Sequence, residues 1–470
     1  MEIITRSINQ RPYVLALLVA VIVGFAVPFL GVYSIGIIAA VGGLIAIVKL
    51  NLNANTAFIL TSLLLYVNVL KPFGGYKIIS SGLDAFVAIM IIKYLVFRGL
   101  KKTNALWLFL VTGFLLLSFL EMFNPNIPSL AAGLQGLRKT SFAFMLFYVG
   151  ILSFKDIKEV RKFLARLTLA SVPLILYGIK QYLFISEFDK LFLYSNDADI
   201  WTGTLFGKTR ATSVFAGSFH FGMFGAIIAV TSLYLMDTAK KKSHKFFYFL
   251  SIIIAMAGCY TSLTRTNLVA LVAGVLVYMI MKMRVRNIMI LLPVVAISMW
   301  GIVSYIISHT QQLLYSNNEL LRMVGTIANI SNDTRFLGRT HGWETVLLLM
   351  KEQPILAYGT GSAGDTLQNV YDFQYHVTSH NFFLKILMET GYIGLLLIAI
   401  LFIGITVKMF KSVVNSENIY YKRIVACCLS VFVVFLVNSL VGSTIETYPV
   451  SAMILLLTGI GVSKLNEVSK

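Results

Sequence analysis

The chain has 470 residues, 58% of them hydrophobic and only 13% charged, with a mean hydropathy of +0.82. No aqueous core of this size absorbs that much apolar surface, so the composition excludes a soluble enzyme and specifies a polytopic membrane protein. The formal net charge of +19 does not by itself imply nucleic acid, because Lys and Arg in a membrane chain first report which side a loop faces.

At roughly 20 apolar residues per crossing, spans are expected near 13–31, 34–50, 55–70, 82–99, 104–121, 131–153 and 164–184. A second set is expected near 211–236, 246–262, 265–281, 287–308, 382–407, 423–441 and 446–463. The expectation is an all-α fold of about fourteen transmembrane helices, with residues 1–204 forming an N-terminal block and 205–470 a second block that includes an outer loop at 309–381. The opening "MEIITRSINQRPYVLALLVAVIVGFAVPFLGVY" lacks a convincing small-residue cleavage site and reads as a retained first helix.

With the N-terminus in the cytoplasm, the inner loops receive "KDIKEVRKFLAR" (155–166), "KKKSHK" (240–245), "KMRVR" (282–286) and "KMFKSVVNSENIYYKR" (408–423). This obeys the positive-inside rule, places both termini inside and accounts for most of the charge without nucleic acid. Cys259, Cys427 and Cys428 all lie in apolar segments and read as free thiols, without zinc spacing or a disulfide framework.

The two long outer segments, 185–210 and 309–381, are where function is expected. Glu187, Asp189, Asp197 and Asp199 in the first match no motif and read as a solvated acidic rim, with contact to sugar hydroxyls the alternative. Arg210, in "KTRATSVFAGSFHFG", and Arg265, in "TSLTRTNLVALVAG", each sit at the outer end of a span. A guanidinium near hydrocarbon costs a few kcal/mol unless it snorkels or finds an anion. Together with Arg339 in "GRTHGW" and Arg138 in "GLQGLRKTSF", these residues form a candidate anion site, since planar guanidinium forks suit phosphate oxygens.

Arg339 and Trp343 are four apart and share one face of a helix that continues through "ETVLLLMKEQ". Pro354, Gly359 and Gly361 in "PILAYGTGSAG" then mark a stop and a tight backbone, needing either positive φ or close approach of a ligand. His380, in "TSHNFFLKILMETGYIG", directly precedes a helix start, a position that suits a neutral ring acting as a base. The plainer reading is that Ser379 or Asn381 caps this helix and His380 is a polar residue at the interface. Glu389 falls about 13 Å further along the helix and must meet a partner inside the protein, with Arg265 the expected one. Zinc-protease, paired-carboxylate, serine-nucleophile and Walker patterns are missing from the sequence, so neither metal nor ATP chemistry is expected.

Taken in order, Arg210, Arg265, "RTHGW", "PILAYGTGSAG" and "SHNFFLKILMETGYIG" resemble the O-antigen ligase and Wzy polymerase superfamily over roughly residues 205 to 400. The resemblance implies a GT-C-like, metal-independent, inverting glycosyltransferase without cofactors. Such an enzyme joins glycans carried on undecaprenyl diphosphate at the outer face of the bacterial cytoplasmic membrane. It implies that Arg210, Arg265 and Arg339 hold the diphosphate, and the candidate anion site read from the residues adds Arg138 to that set. It further implies that His380 acts on the acceptor hydroxyl with Arg210 and Arg265 as catalytic partners, while Glu389, Trp343, Asn381, Gly359 and Gly361, from their own placement in the sequence, are expected to support the site.

The excess of lysine over arginine points to a low-GC, Gram-positive source without lipid A. That favours a polymerase of surface polysaccharide, working with a chain-length regulator, over a ligase. A lipid-linked glycan flippase or transporter is less favoured, since the chain shows no repeated halves.

Overall fold

The computed structural model describes residues 50–465, apart from 74–75, 99–104, 195–202, 284, 354–356, 365–366, 368–369 and 447–448. The first part holds α1 (Ala54–Tyr66), α2 (Tyr76–Arg98), α3 (Ala105–Glu121), α4 (Leu130–Ser141), α5 (Met145–Ser153), α6 (Ile157–Leu183) and α7 (Glu187–Tyr194). A hairpin of β1 (Thr204–Leu205) and antiparallel β2 (Lys208–Thr209) follows. Then come α8 (Ser218–Thr238), α9 (Lys242–Thr261), α10 (Arg265–Lys282), α11 (Val285–Ser308), α12 (Thr310–Leu314), α13 (Glu319–Ala328), α14 (Thr334–Glu352), α15 (Phe382–Asn415), α16 (Ile419–Ser439) and α17 (Val450–Val462). Short acceptor side chains decide many of these starts. Asn53, Ser129, Asp156, Asn318, Asp333, Asn381 and Asn418 each accept a first-turn N–H, satisfying donors the helix itself cannot.

Among the described residues, eight helices are long and apolar enough to cross a membrane. This is the architecture of an all-α polytopic membrane protein. The two expected spans nearest the N-terminus lie outside the described residues. Of the eight, α8 is the most enclosed, packed among α6, α9, α10 and α16.

Two expected spans take a different form. The apolar run at 131–153 is not one helix but α4 and α5, joined by a 3-10 turn at Phe142–Phe144. The cause is close packing: a Cβ added at Gly136 would sit 2.1 Å from the Thr360 carbonyl, and one at Gly133 would sit 2.4 Å from the Met122 carbonyl. α4 therefore lies against other parts of the chain. The run at 446–463 yields only the 13 residues of α17, every one of them buried, a length of about 20 Å against a hydrocarbon core of about 30 Å. Packing of α17 on α5 runs through Gly459 and Gly150, whose Cα atoms approach backbone across the crossing, as small residues do where helices meet in membranes.

The expected span at 382–407 is part of the 34-residue α15, but Gly391 (φ 68°, ψ −172°) breaks its helical path. That backbone region is open essentially to glycine alone. The break lets the Met388 carbonyl accept the Tyr358 N–H at 2.9 Å, so a segment of loop 309–381 docks into the gap. Within that loop the chain forms α12, α13 and α14 rather than irregular structure. Of the acidic residues at 185–210, Asp189 is fully buried and bonded to Lys180 and Ser186, so it is not part of a solvated rim. Glu187 is exposed beside Lys190, and Asp197 and Asp199 lie outside the described residues.

Candidate active site

Four arginines line one cleft of about 310 Å³: Arg210, Arg265, Arg339 and Arg335. Arg210 follows the β-hairpin, and its backbone is fixed on both sides. The Arg210 N–H donates to the Gly203 carbonyl (2.8 Å) and the Ala211 N–H to the Thr261 carbonyl (3.0 Å). Gln181 of α6 accepts from the N–H groups of Thr212 (3.2 Å) and Ser213 (2.7 Å). The Arg210 guanidinium then donates to the Ser262 carbonyl (3.3 Å) and the Thr264 hydroxyl (2.9 Å). Arg265 opens α10. Its guanidinium donates to the Thr326 carbonyl of α13 (3.0 Å) and to the Asp333 carboxylate at the cap of α14. The start of α10 has no side-chain cap, and Thr264, Arg265 and Thr266 all line the cleft, so its N-terminal dipole adds to the positive field.

Four guanidiniums face a single carboxylate, Asp333, among the lining residues. Burial, reinforced by the like charges of Arg335, Arg339 and Arg265, pushes the Arg210 guanidinium down to about 10. It stays protonated at neutral pH, a cation held in a buried setting among like charges. Burial raises the Asp333 carboxyl, but the hydrogen bond and charge of Arg265, together with the Arg335 amide and charge, outweigh it and hold the group below the usual carboxylate range. Asp333 therefore acts as a resident counter-anion. Replacing it with asparagine, which keeps the cap to the Arg335 N–H (3.0 Å), should tighten binding of inorganic pyrophosphate about fivefold, or about 1 kcal/mol. Isothermal titration of the solubilised protein checks this, and unchanged affinity would show that Asp333 does not compete for the cleft.

The loop helices are tied down around the cleft. Tyr182 of α6 and Tyr260 of α9 donate to Glu319 at the start of α13 (2.7 and 3.0 Å). These bonds, Tyr182 foremost, hold the Glu319 carboxyl low. Backbone strain concentrates in the same motifs. The non-glycine residues with positive φ among those described are Phe206 (55°), Ser213 (53°), Leu263 (47°) and His380 (42°). Two flank Arg210 in sequence, one lies two residues before Arg265, and the fourth is the candidate base. Such strain persists only where surrounding structure imposes it.

His380 does not line the cleft, but α14 links the two. Arg339 on α14 lies in the cleft, and Gly342, one turn on, rests against the backbone at Thr378, where a Cβ would come within 2.5 Å of the carbonyl. Asn381, not His380, caps α15, accepting from Phe383 and Leu384 N–H (2.9 and 3.2 Å) and donating to the Leu440 carbonyl (2.9 Å). The cap and the histidine are thus separate residues, and the cap fixes the backbone on which the histidine stands. Trp343 packs edge-on to Phe336 within α14, ring centroids 6.0 Å apart.

Glu389 is fully buried, and its partner is not Arg265. Lys385, one turn earlier, donates to it at 2.5 Å, lies 3.0 Å from Glu446 and donates to the Ala363 carbonyl at 3.1 Å. Arg265 is instead engaged with Asp333 and Thr326. Glu389 also accepts from the Gly361 N–H (3.0 Å) and the Thr140 hydroxyl, so one buried network joins α15, α4, the 357–364 segment and the chain before α17. Gly359 and Gly361 have φ of 86° and 93°. Both are packed on protein, Gly359 against Asn124 and Ile127 and Gly361 against Gly136 and Leu367, so positive φ and packing account for them.

Arg138 does not line the cleft. It pairs with Asp84 of α2 at 2.5 Å. Sequence reasoning missed Arg335, Lys385 and Glu446. The spacing of Lys385 to Glu389 is a visible signal, whereas Arg335 becomes meaningful only once α14 is seen to begin at Thr334.

Residues 249–399 match the family described as O-antigen ligase. The match takes in Arg265, Arg335, Arg339, His380 and Glu389 and leaves Arg210 and Glu446 outside it. A search of curated proteins finds no match.

Proposed function

We propose, taking residues 249–399 as an O-antigen-ligase-type unit, that the protein is a membrane glycosyltransferase that moves a glycan from undecaprenyl diphosphate to an acceptor sugar hydroxyl. The observation that carries this reading is the cleft, where Arg210, Arg265, Arg335 and Arg339 meet the uncapped start of α10. When the acceptor attacks the anomeric carbon, the bond to the diphosphate oxygen breaks and negative charge grows on the leaving group. Guanidiniums and a helix start already aimed at that position lower the barrier without reorganising. His380 would accept the proton of the hydroxyl, a poor nucleophile until it is deprotonated. Attack from the face opposite the diphosphate inverts the anomeric centre, in a GT-C-like reaction needing neither metal nor ATP.

In this reading the cleft faces the outside of the bacterial cytoplasmic membrane, with both termini inside. The product is a surface polysaccharide built by polymerisation of lipid-linked repeat units, with a chain-length regulator as partner. The description of the matched family as O-antigen ligase favours a second reading, transfer of a finished chain to lipid A core or another acceptor.

The test is incubation of the protein in nanodiscs with its host's lipid-linked repeat units, without metal or ATP, and separation of the products by size. A ladder of longer lipid-linked glycans supports the polymerase. Product formed only when a separate acceptor is supplied supports the ligase, and unchanged substrate under both conditions overturns the proposal in favour of transport. Replacing Arg339 with lysine should lower turnover at least about tenfold, because a point charge cannot reproduce the bidentate fork. Wild-type turnover of that variant would remove Arg339 from diphosphate binding.

A further inference from the structure

Phe206 occupies a backbone conformation that its side chain disfavours. The two-residue turn between β1 and β2 has φ of 55° at Phe206 and 75° at Gly207. These are the positive values of a type I′ hairpin turn, whose first central position prefers Asn, Asp or Gly. A bulky residue at positive φ is an outlier, and nothing about forming the hairpin calls for a phenyl ring. The ring has a use elsewhere. It lines the arginine cleft, and the Arg322 guanidinium of α13 lies over it, 4.3 Å from the centroid.

The position of the ring indicates what it meets. A polyprenyl diphosphate has two ends, a hydrocarbon tail that must remain in the bilayer and a sugar. Phe206 is covered by α13, a helix of loop 309–381 rather than one of the spans. The cation stacked on it makes that side a poor seat for hydrocarbon. A pyranose has a face of C–H groups that packs on an aromatic ring, and its hydroxyls need amide and hydroxyl partners of the kind Asn329, Asn332 and Thr326 supply in the same cleft.

We propose that Phe206 is the stacking platform for the sugar attached to the diphosphate, and that the strain at φ 55° is retained because an aromatic ring is needed there. The inference rests on the diphosphate reading of the cleft. The informative variant is Phe206→Asn, because asparagine suits the turn better than phenylalanine and preserves the hairpin while removing the ring. Binding is measured in nanodiscs with three probes: inorganic pyrophosphate, a short-chain prenyl diphosphate, and the same lipid carrying one hexose. The expected result is about tenfold weaker binding of the hexose-bearing lipid alone. Equal weakening of the sugar-free lipid would overturn the proposal, since the ring would then serve the tail or the arginines, and so would unchanged binding of all three. Failure of the wild-type protein to bind pyrophosphate would instead overturn the diphosphate reading beneath it.

Discussion

Replacing His380 with asparagine is expected to lower glycan transfer by about 10²- to 10⁴-fold, the range for loss of a positioned general base, with membrane insertion retained and any change in melting temperature too small to account for that loss. Asparagine is the informative choice because the backbone at His380 has φ 42°, a conformation asparagine adopts readily and alanine does not. The neighbouring Asn381 continues to cap α15, so the variant removes the imidazole while keeping the start of the helix. Initial rates with lipid-linked repeat units, alongside a melting curve of the solubilised protein, read both effects. A variant turning over at the wild-type rate would exclude the His380 imidazole from the reaction.

The largest stability effect is expected from Lys385→Met. Lys385 is 1% exposed and stands between Glu389 and Glu446, so the substitution leaves two buried carboxylates without the cation between them, at a cost of about 3–5 kcal/mol. The melting temperature of the solubilised protein should fall sharply, or the variant should fail to accumulate in membranes. Adding Glu389→Gln and Glu446→Gln to the same chain should recover part of the loss. The charges are then gone, and a glutamine carbonyl still accepts from the Gly361 N–H that Glu389 holds at 3.0 Å. If Lys385→Met melts like the wild type, the network is not what holds the 357–364 segment in place.

Both sites show how far the chain could be read before it was folded. Arg210 and Arg265 were legible because a guanidinium at the end of an apolar run is costly and demands an anion, and Arg339 joined them as a guanidinium in the long outer loop. Their convergence with Arg335 depends on where α14 starts, which is set by one capping aspartate, Asp333. That same aspartate pairs with Arg265 across 68 positions. Glu389 was legible as a residue needing a partner. The cation lay four residues upstream, and the second carboxylate lay beyond another whole helix, at a separation no local pattern encodes. Hydropathy likewise located the apolar runs but could not tell a span from a buried helix. The run at 131–153 breaks where Gly133 and Gly136 let backbone approach, and α17, which begins only after Pro449, is enclosed by protein along its whole length. Phe206 was illegible for a related reason: its significance lies in a φ angle and a stacked arginine, neither of which a residue name records.

The break at Gly391 also bears on how the protein tolerates its lipid surroundings. A straight helix of the 34 residues in α15 would be about 51 Å long, well beyond a hydrocarbon layer of about 30 Å. The portion after the break, residues 392–415, is about 36 Å long, enough to cross alone at a tilt of about 34°. Residues 382–390, with Lys385 and Glu389, are anchored to α4 and the 357–364 segment instead. A thinner or thicker bilayer is expected to change the tilt of the rod after the break, and the non-helical Gly391 is where that change would be taken up. If the reaction proposed above is right, changing lipid thickness should alter how the chain sits in the bilayer and leave the rate of glycan transfer largely unchanged.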